Sequence, residues 1–183
     1  MKKNFIFLII SIFFFTSNTN AYESSTGLKL PRYVSLKSND SNLRIGSSLD
    51  YPIKIKYKIA NMPIEIIDEY EDWRKINDFY GHQGWLHKSL IKGYRYAIIN
   101  TSYKESAQIY NKPKGEVIGK IGKKNIVKLN RCLKDWCHIS ISKSKGWINK
   151  LNLWGVYEKE IINIPFYQPI IDLIWKINVN FLI

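Results

Sequence analysis

The sequence predicts an all-β protein made of two tandem small β-barrels, followed by an amphipathic C-terminal tail that reads as helical. Three observations carry this expectation. A unit of about 60 residues occurs twice, apolar and polar residues alternate over short runs inside each unit, and helical periodicity is weak until the tail.

The first element is an address rather than part of the fold. Lys2 and Lys3 precede an apolar run, Phe5 to Ile10 and Ile12 to Phe15, and a polar stretch then ends in Thr19-Asn20-Ala21. A basic start, a short apolar segment and small residues before a break predict a secretory signal peptide over residues 1–21. The apolar run is too short to span a bilayer, which needs about 20 residues. The expected place of work is the periplasm.

The repeat comes next. Asp72-Trp73 is matched by Asp135-Trp136, and Gly84-Trp85 by Gly146-Trp147, with a single one-residue slip between the two matches. Ile64, Ile66 and Ile76 fall opposite Val127, Leu129 and Ile139, and Leu86, Lys88, Ile91 and Gly93 fall opposite Ile148, Lys150, Leu153 and Gly155. The units expected are residues 31–93 and 94–157. In the first, residues 64–70 are apolar at alternate positions, Glu71-Asp72 makes a polar turn, and Trp73 to Ile76 begins the return strand. A turn containing Gly81 and Gly84 then introduces another strand at Trp85. So many short strands in so few residues predict closure into a barrel, which removes edges that would pair with other chains.

The motifs of the first unit are specific. Leu43-Arg44-Ile45-Gly46 is followed by Tyr51-Pro52-Ile53, then Asp72-Trp73-Arg74-Lys75-Ile76, then Gly84-Trp85-Leu86-His87. Together they resemble a bacterial SH3 domain of the type found in secreted cell-envelope proteins, so each barrel is expected to be SH3-like. The second unit keeps the later motifs but has Ile109-Tyr110-Asn111-Lys112-Pro113 in place of the first, and Asn149 in place of His87. The resemblance implies that Trp73 and Trp136 border a ligand groove, with Tyr51, Tyr70 and Tyr80 lining it in the first unit. Trp85 and Trp147, each beginning a strand after Gly, are expected to pack inward.

Cys132 and Cys137 fall opposite Glu69 and Arg74 when the repeat spacing is subtracted. An opposite-charge pair in one copy and two thiols in the other suit residues that face each other across an antiparallel ladder, and after secretion a disulfide is their natural state. Two cysteines with His138 beside them supply too few ligands for a dependable zinc site. A nucleophilic cysteine needs a catalytic domain for which the repeats leave no room.

The chain carries 28 Lys+Arg against 15 Asp+Glu, a net charge of +13, and 14% aromatic residues. Residues 31–93 are nearly balanced, whereas residues 94–157 hold thirteen basic and three acidic side chains. Lys112, Lys114, Lys120, Lys123, Lys124, Lys128, Lys143 and Lys145 fall mostly in turns and at strand ends, where they can converge on an extended anion. Lys outnumbers Arg, which favours diffuse attraction over bidentate recognition, and such attraction weakens with salt. Nucleic acid is a poor partner for a secreted protein.

The tail, residues 158–183, places Ile170, Ile171, Leu173, Ile174, Ile177, Phe181 and Leu182 at mainly three-to-four spacing after Pro169. It is expected to pack on the barrels or to dock on a membrane surface or partner. No Ser-His-Asp set, paired-carboxylate arrangement or phosphate-cradling glycine loop stands in convincing context, and no metal or cofactor is implied. The expected function is non-catalytic binding of peptidoglycan or another anionic envelope polymer. The alternatives are an adaptor that binds secreted proteins through the barrels and tail, and, more weakly, an accessory to a wall hydrolase.

Overall fold

The computed structural model describes residues 24–102 and 104–162, so the expected signal peptide and nearly all of the expected tail lie outside the described residues. The first unit contains β1 (Arg32–Leu36), β2 (Ser41–Arg44), β3 (Ile53–Tyr57), β4 (Pro63–Tyr70), β5 (Trp73–Asn77), β6 (Gln83–His87), a 3-10 turn (Lys88–Leu90) and β7 (Ile91–Lys92). The second contains β8 (Tyr96–Ile99), β9 (Ser106–Tyr110), β10 (Val117–Gly122), β11 (Ile126–Cys132), β12 (Trp136–Ile141), β13 (Ser144–Asn149), a 3-10 turn (Lys150–Asn152) and β14 (Leu153–Trp154).

Both units form seven-stranded antiparallel sheets, ordered β3-β2-β6-β5-β4-β1-β7 and β10-β9-β13-β12-β11-β8-β14. The second order is the first shifted by seven strands, so the duplication read from the tryptophans is a duplication of topology. The slip in the repeat falls in the hairpin turn, because Ile76 pairs with Gly84 in β5–β6 whereas Ile139 pairs with Gly146 in β12–β13.

Among the described residues neither ladder is continuous around a barrel: β3 and β7 end the first, β10 and β14 the second. A flat seven-stranded sheet would be about 29 Å wide at the usual strand spacing. Yet Leu36, Leu43, Tyr57, Ile64, Ile76 and Leu86, from six different strands, meet in one buried cluster. Each sheet therefore curls around its own core and leaves its end strands unpaired with each other. The second core gathers Ala97, Ile99, Val127, Leu129, Ile139 and Ile148 in the same way.

Cys132 and Cys137 are directly paired across β11–β12 and joined by a disulfide. Glu69 and Arg74 occupy the matching rungs of β4–β5, with Arg74 Nε 3.1 Å from Glu69 Oε1. Glu69 also accepts hydrogen bonds from Ser24 Oγ, from Arg32 and from Thr26 Oγ1 (2.7 Å), which ties residues 24–26 to the first unit.

The two units are in contact. Tyr33 of β1 stacks against Tyr157 (ring centroids 4.6 Å apart) and meets Trp154 edge-on at 5.2 Å. The Tyr157 hydroxyl donates to Glu65 Oε1 at 2.8 Å. Phe79 reaches Trp154 from the β5–β6 turn. Beyond the repeat, residues 158–162 lie on the second unit. Ile162 and Cys132 exchange main-chain hydrogen bonds. Lys150 Nζ donates to the carbonyls of Lys134, Glu158 and Glu160 at 2.6, 2.8 and 2.9 Å.

Candidate functional site

Side-chain parity decides what each sheet shows to solvent. In β6 the burial alternates, with Gly84 and Leu86 inside and Trp85 and His87 partly exposed. The cause is steric. A Cβ at position 84 would lie 2.6 Å from the Arg44 carbonyl oxygen and 2.7 Å from Leu43 Cγ, so the inward position where β6 crosses β2 admits glycine alone. Gly146 is equally crowded, with Ile109 Cγ2 2.3 Å from a Cβ there. Glycine inside forces the following tryptophan outside. Trp85 and Trp147 are therefore half-buried residues of the outer face, contrary to the inward packing expected from sequence.

On that face the pairing registers assemble two rows in the first unit. Tyr70, Trp73 and His87 are successive partners across β4, β5 and β6, and Asp68, Lys75, Trp85 and Arg44 form the next row out to β2. Trp73 is only 8% exposed and sits edge-on to the His87 ring at 5.4 Å, so it forms the floor of this face while Trp85 and Tyr70 stand higher. Asp72, in the turn before Trp73, is held below the usual carboxylate range chiefly by its hydrogen bond from Lys88, 2.7 Å away.

The second unit repeats the face with different chemistry. Trp136 pairs with Asn149, and Arg131, His138, Trp147 and Tyr110 form the adjoining row. The Arg131 guanidinium lies 6.0 Å from the Trp147 ring centre, His138 stacks beside the same ring at 5.2 Å, and Tyr110 meets Trp136 edge-on at 5.1 Å. Burial, followed by the Lys145 and Arg131 charges, lowers the His138 pKa, so the imidazole is neutral at neutral pH.

The remaining residues singled out from the sequence are dispersed. Tyr51 is near the first face, with its carbonyl accepting from Arg44 at 2.6 Å, and its ring is half exposed in the β2–β3 loop. Tyr80 is not near it. It lies beyond the other end of β5, about 13 Å or more from Trp73 at the usual rise per residue, beside Phe79 and His82. Lys123 and Lys124 precede β11 and are separated from Trp136 by its length, about 20 Å, so they do not join Trp136 in one site. Trp85, His87, Arg44 and Lys75 in the first unit, and Trp147, His138, Tyr110 and Arg131 in the second, were not singled out as contacts. The signal that finds them is the Gly-Trp dipeptide read for parity.

A family model described as bacterial SH3 domain matches residues 37–93 and 104–155. No curated protein matches the chain. Among solved structures, NlpC1 from Trichomonas vaginalis is 13% identical with a TM-score of 0.31, the likeness covering 72% of this chain and 48% of that one. NlpC2 from Trichomonas vaginalis is 11% identical with a TM-score of 0.32, covering 73% and 51%. An NlpC/P60 family protein from Bacillus cereus ATCC 10987 is 12% identical with a TM-score of 0.30, covering 76% and 61%. The chain thus spans about half to three-fifths of the length of these structures, and likeness this low says nothing about activity.

Proposed function

The chain belongs to the bacterial SH3 domain family, and from that premise we propose that it is a non-catalytic envelope-binding protein of the periplasm, whose outer sheet faces take a peptidoglycan strand or another anionic envelope polymer. The observation that carries this reading is the twofold recurrence of one surface: a tryptophan pair beside cationic side chains, Trp73 and Trp85 with Arg44 and Lys75, then Trp136 and Trp147 with Arg131. Flat rings suit the apolar faces of sugars, and the neighbouring cations suit carboxylates. The excess positive charge of the second unit supports longer-range attraction of the same polymer. Two such faces on one chain raise the effective concentration of the second site once the first is filled.

The test is retention on purified peptidoglycan at low and at high salt, with Trp85→Ala, Trp147→Ala and the double variant. Both tryptophans are partly exposed, so the fold is expected to survive. Each single change is expected to weaken retention about tenfold, the double change more, and added salt should weaken all of them. If the polymer does not retain the wild type while a secreted protein co-purifies with it, the adaptor reading replaces this one.

A further inference from the structure

The two units also differ where the first closes its end strand against the β5–β6 hairpin. In the first, three polar groups close the gap between β3 and the β5–β6 hairpin. The Tyr57 hydroxyl donates to buried Asp78 Oδ2 at 2.9 Å, and Lys54 Nζ donates to the Gln83 carbonyl at 2.9 Å. Asp78 is fixed in turn by Tyr80 N–H and His82 N–H, at 2.9 and 2.8 Å. Leu43 and Ile109 are equivalent because each is what a Cβ on the matched glycine would strike. The β2–β3 and β9–β10 registers then make Tyr57 equivalent to Ile121 and Lys54 to Ile118, and the β5–β6 and β12–β13 registers make Asp78 equivalent to Ile141.

All three closing groups are thus isoleucines in the second unit, and the bridge is gone. A cleft of about 510 Å³ lies in its place, lined by Ile118, Ile121, Ile139 and Ile141, with Lys120 and Lys145 among its walls and no acidic residue among the described residues that line it. Ile118 is 56% exposed. One side of the cleft is β10, which ends its ladder and has no partner strand on its outer edge among the described residues. An apolar cleft, two cations and an unpaired strand edge together specify an occupant: apolar side chains for the isoleucines, carboxylates for the lysines, and a backbone to pair with β10.

We infer that the second unit binds an extended peptide segment with alternating branched apolar and acidic residues, added as a strand along β10. The cleft shares only Lys145 with the Trp147 face, and the inference does not depend on the envelope-polymer reading. The probe is a fluorescent hexapeptide alternating Val and Glu, titrated into the purified protein, with amide chemical shifts followed by NMR. Saturable binding is expected, with the largest shifts at Gly119, Ile121, Ile141 and Gly146. Replacing Ile118→Lys, Ile121→Tyr and Ile141→Asp together installs the closing groups that the first unit already accommodates. This is expected to weaken binding at least about tenfold, as is Lys120→Glu with Lys145→Glu on the exposed rim. A peptide alternating Val and Lys should bind at least about tenfold more weakly than the Glu peptide. The proposal is overturned if the Val-Glu peptide does not bind, if its shifts fall on Trp85 or Trp147 instead, if both variants bind it unchanged, or if laurate fills the cleft and the peptide does not.

Discussion

At the scale of single residues, the matched rungs Glu69–Arg74 and Cys132–Cys137 show one position stabilised in two ways. Burial alone would raise the Glu69 carboxyl, but hydrogen bonds from Ser24, Arg32 and Thr26, with the Arg32 charge, outweigh it and bring the pKa down to about 2. A carboxyl whose folded pKa lies below its ordinary value of 4.5 contributes stability above that ordinary value, and this contribution is lost as pH falls towards about 2. Glu69→Gln leaves the Arg32 and Arg74 guanidiniums without their counter-charge and is expected to cost about 3 kcal/mol at neutral pH. Urea unfolding at several pH values checks this: the gap between wild type and variant should shrink as pH falls below about 4.5. In the second unit the bridge closes so short a loop that chain entropy predicts only about 2 kcal/mol. Cys132→Ala with Cys137→Ala is therefore expected to stay folded, with a urea midpoint close to that of the wild type under reducing conditions. This pairing was legible in the sequence because subtracting the repeat spacing set two thiols on an acid and a base, which only cross-strand neighbours would interchange. The part played by Ser24 and Thr26 was not, because contacts between residues some 43 positions apart leave no local pattern.

At the scale of strands, the Gly-Trp dipeptide does two jobs, since its glycine admits the crossing strand and its parity sends the tryptophan outward. The two crossings differ in what resists a side chain. At Gly84 the nearest atom to an added Cβ is the backbone oxygen of Arg44, which moves only with the β2–β6 ladder, whereas at Gly146 it is a methyl of Ile109, which can rotate away. Gly84→Ala is expected to cost about 3 kcal/mol and Gly146→Ala about 1 kcal/mol, read from thermal or urea unfolding. Equal costs would mean that the strands yield as easily as a side chain. Strand existence and order of appearance were legible from alternation and turn residues. The outward tryptophans were not, because hydrophobicity alone assigns a large ring to the core, and only the crowding around the neighbouring glycine reverses that assignment. The cleft beside β10 escaped for a related reason: Ile118, Ile121 and Ile141 look like ordinary core residues until the polar groups that replace them in the first unit are seen closing the same gap.

At the scale of the whole molecule, the duplication was legible but the junction between the units was not. Tyr33, Trp154 and Tyr157 lie at the outer ends of the two repeats and read as stray aromatics. Folded, they meet as one cluster, with the Arg95 guanidinium 5.8 Å from the Tyr33 ring centre. Burial first, then the Glu65 charge, pushes the Tyr33 hydroxyl up to about 12 against the opposing effect of Arg95. Burial and Glu65 likewise raise the Tyr157 hydroxyl, which keeps its proton and donates it in a hydrogen bond to that carboxylate. Aromatic packing at this density couples the stability of one unit to the other, so the wild type is expected to unfold by calorimetry in a single transition. Tyr33→Ala removes the ring that touches both Trp154 and Tyr157 while sparing both hydrophobic cores, because Tyr33 belongs to neither buried cluster. Its expected result is two resolved transitions, the disulfide-bearing second unit shifting to lower temperature on reduction and the first unit not responding. Two transitions already present in the wild type would mean that the cluster joins the units without coupling them, and the two tryptophan faces would then act as independently tethered sites.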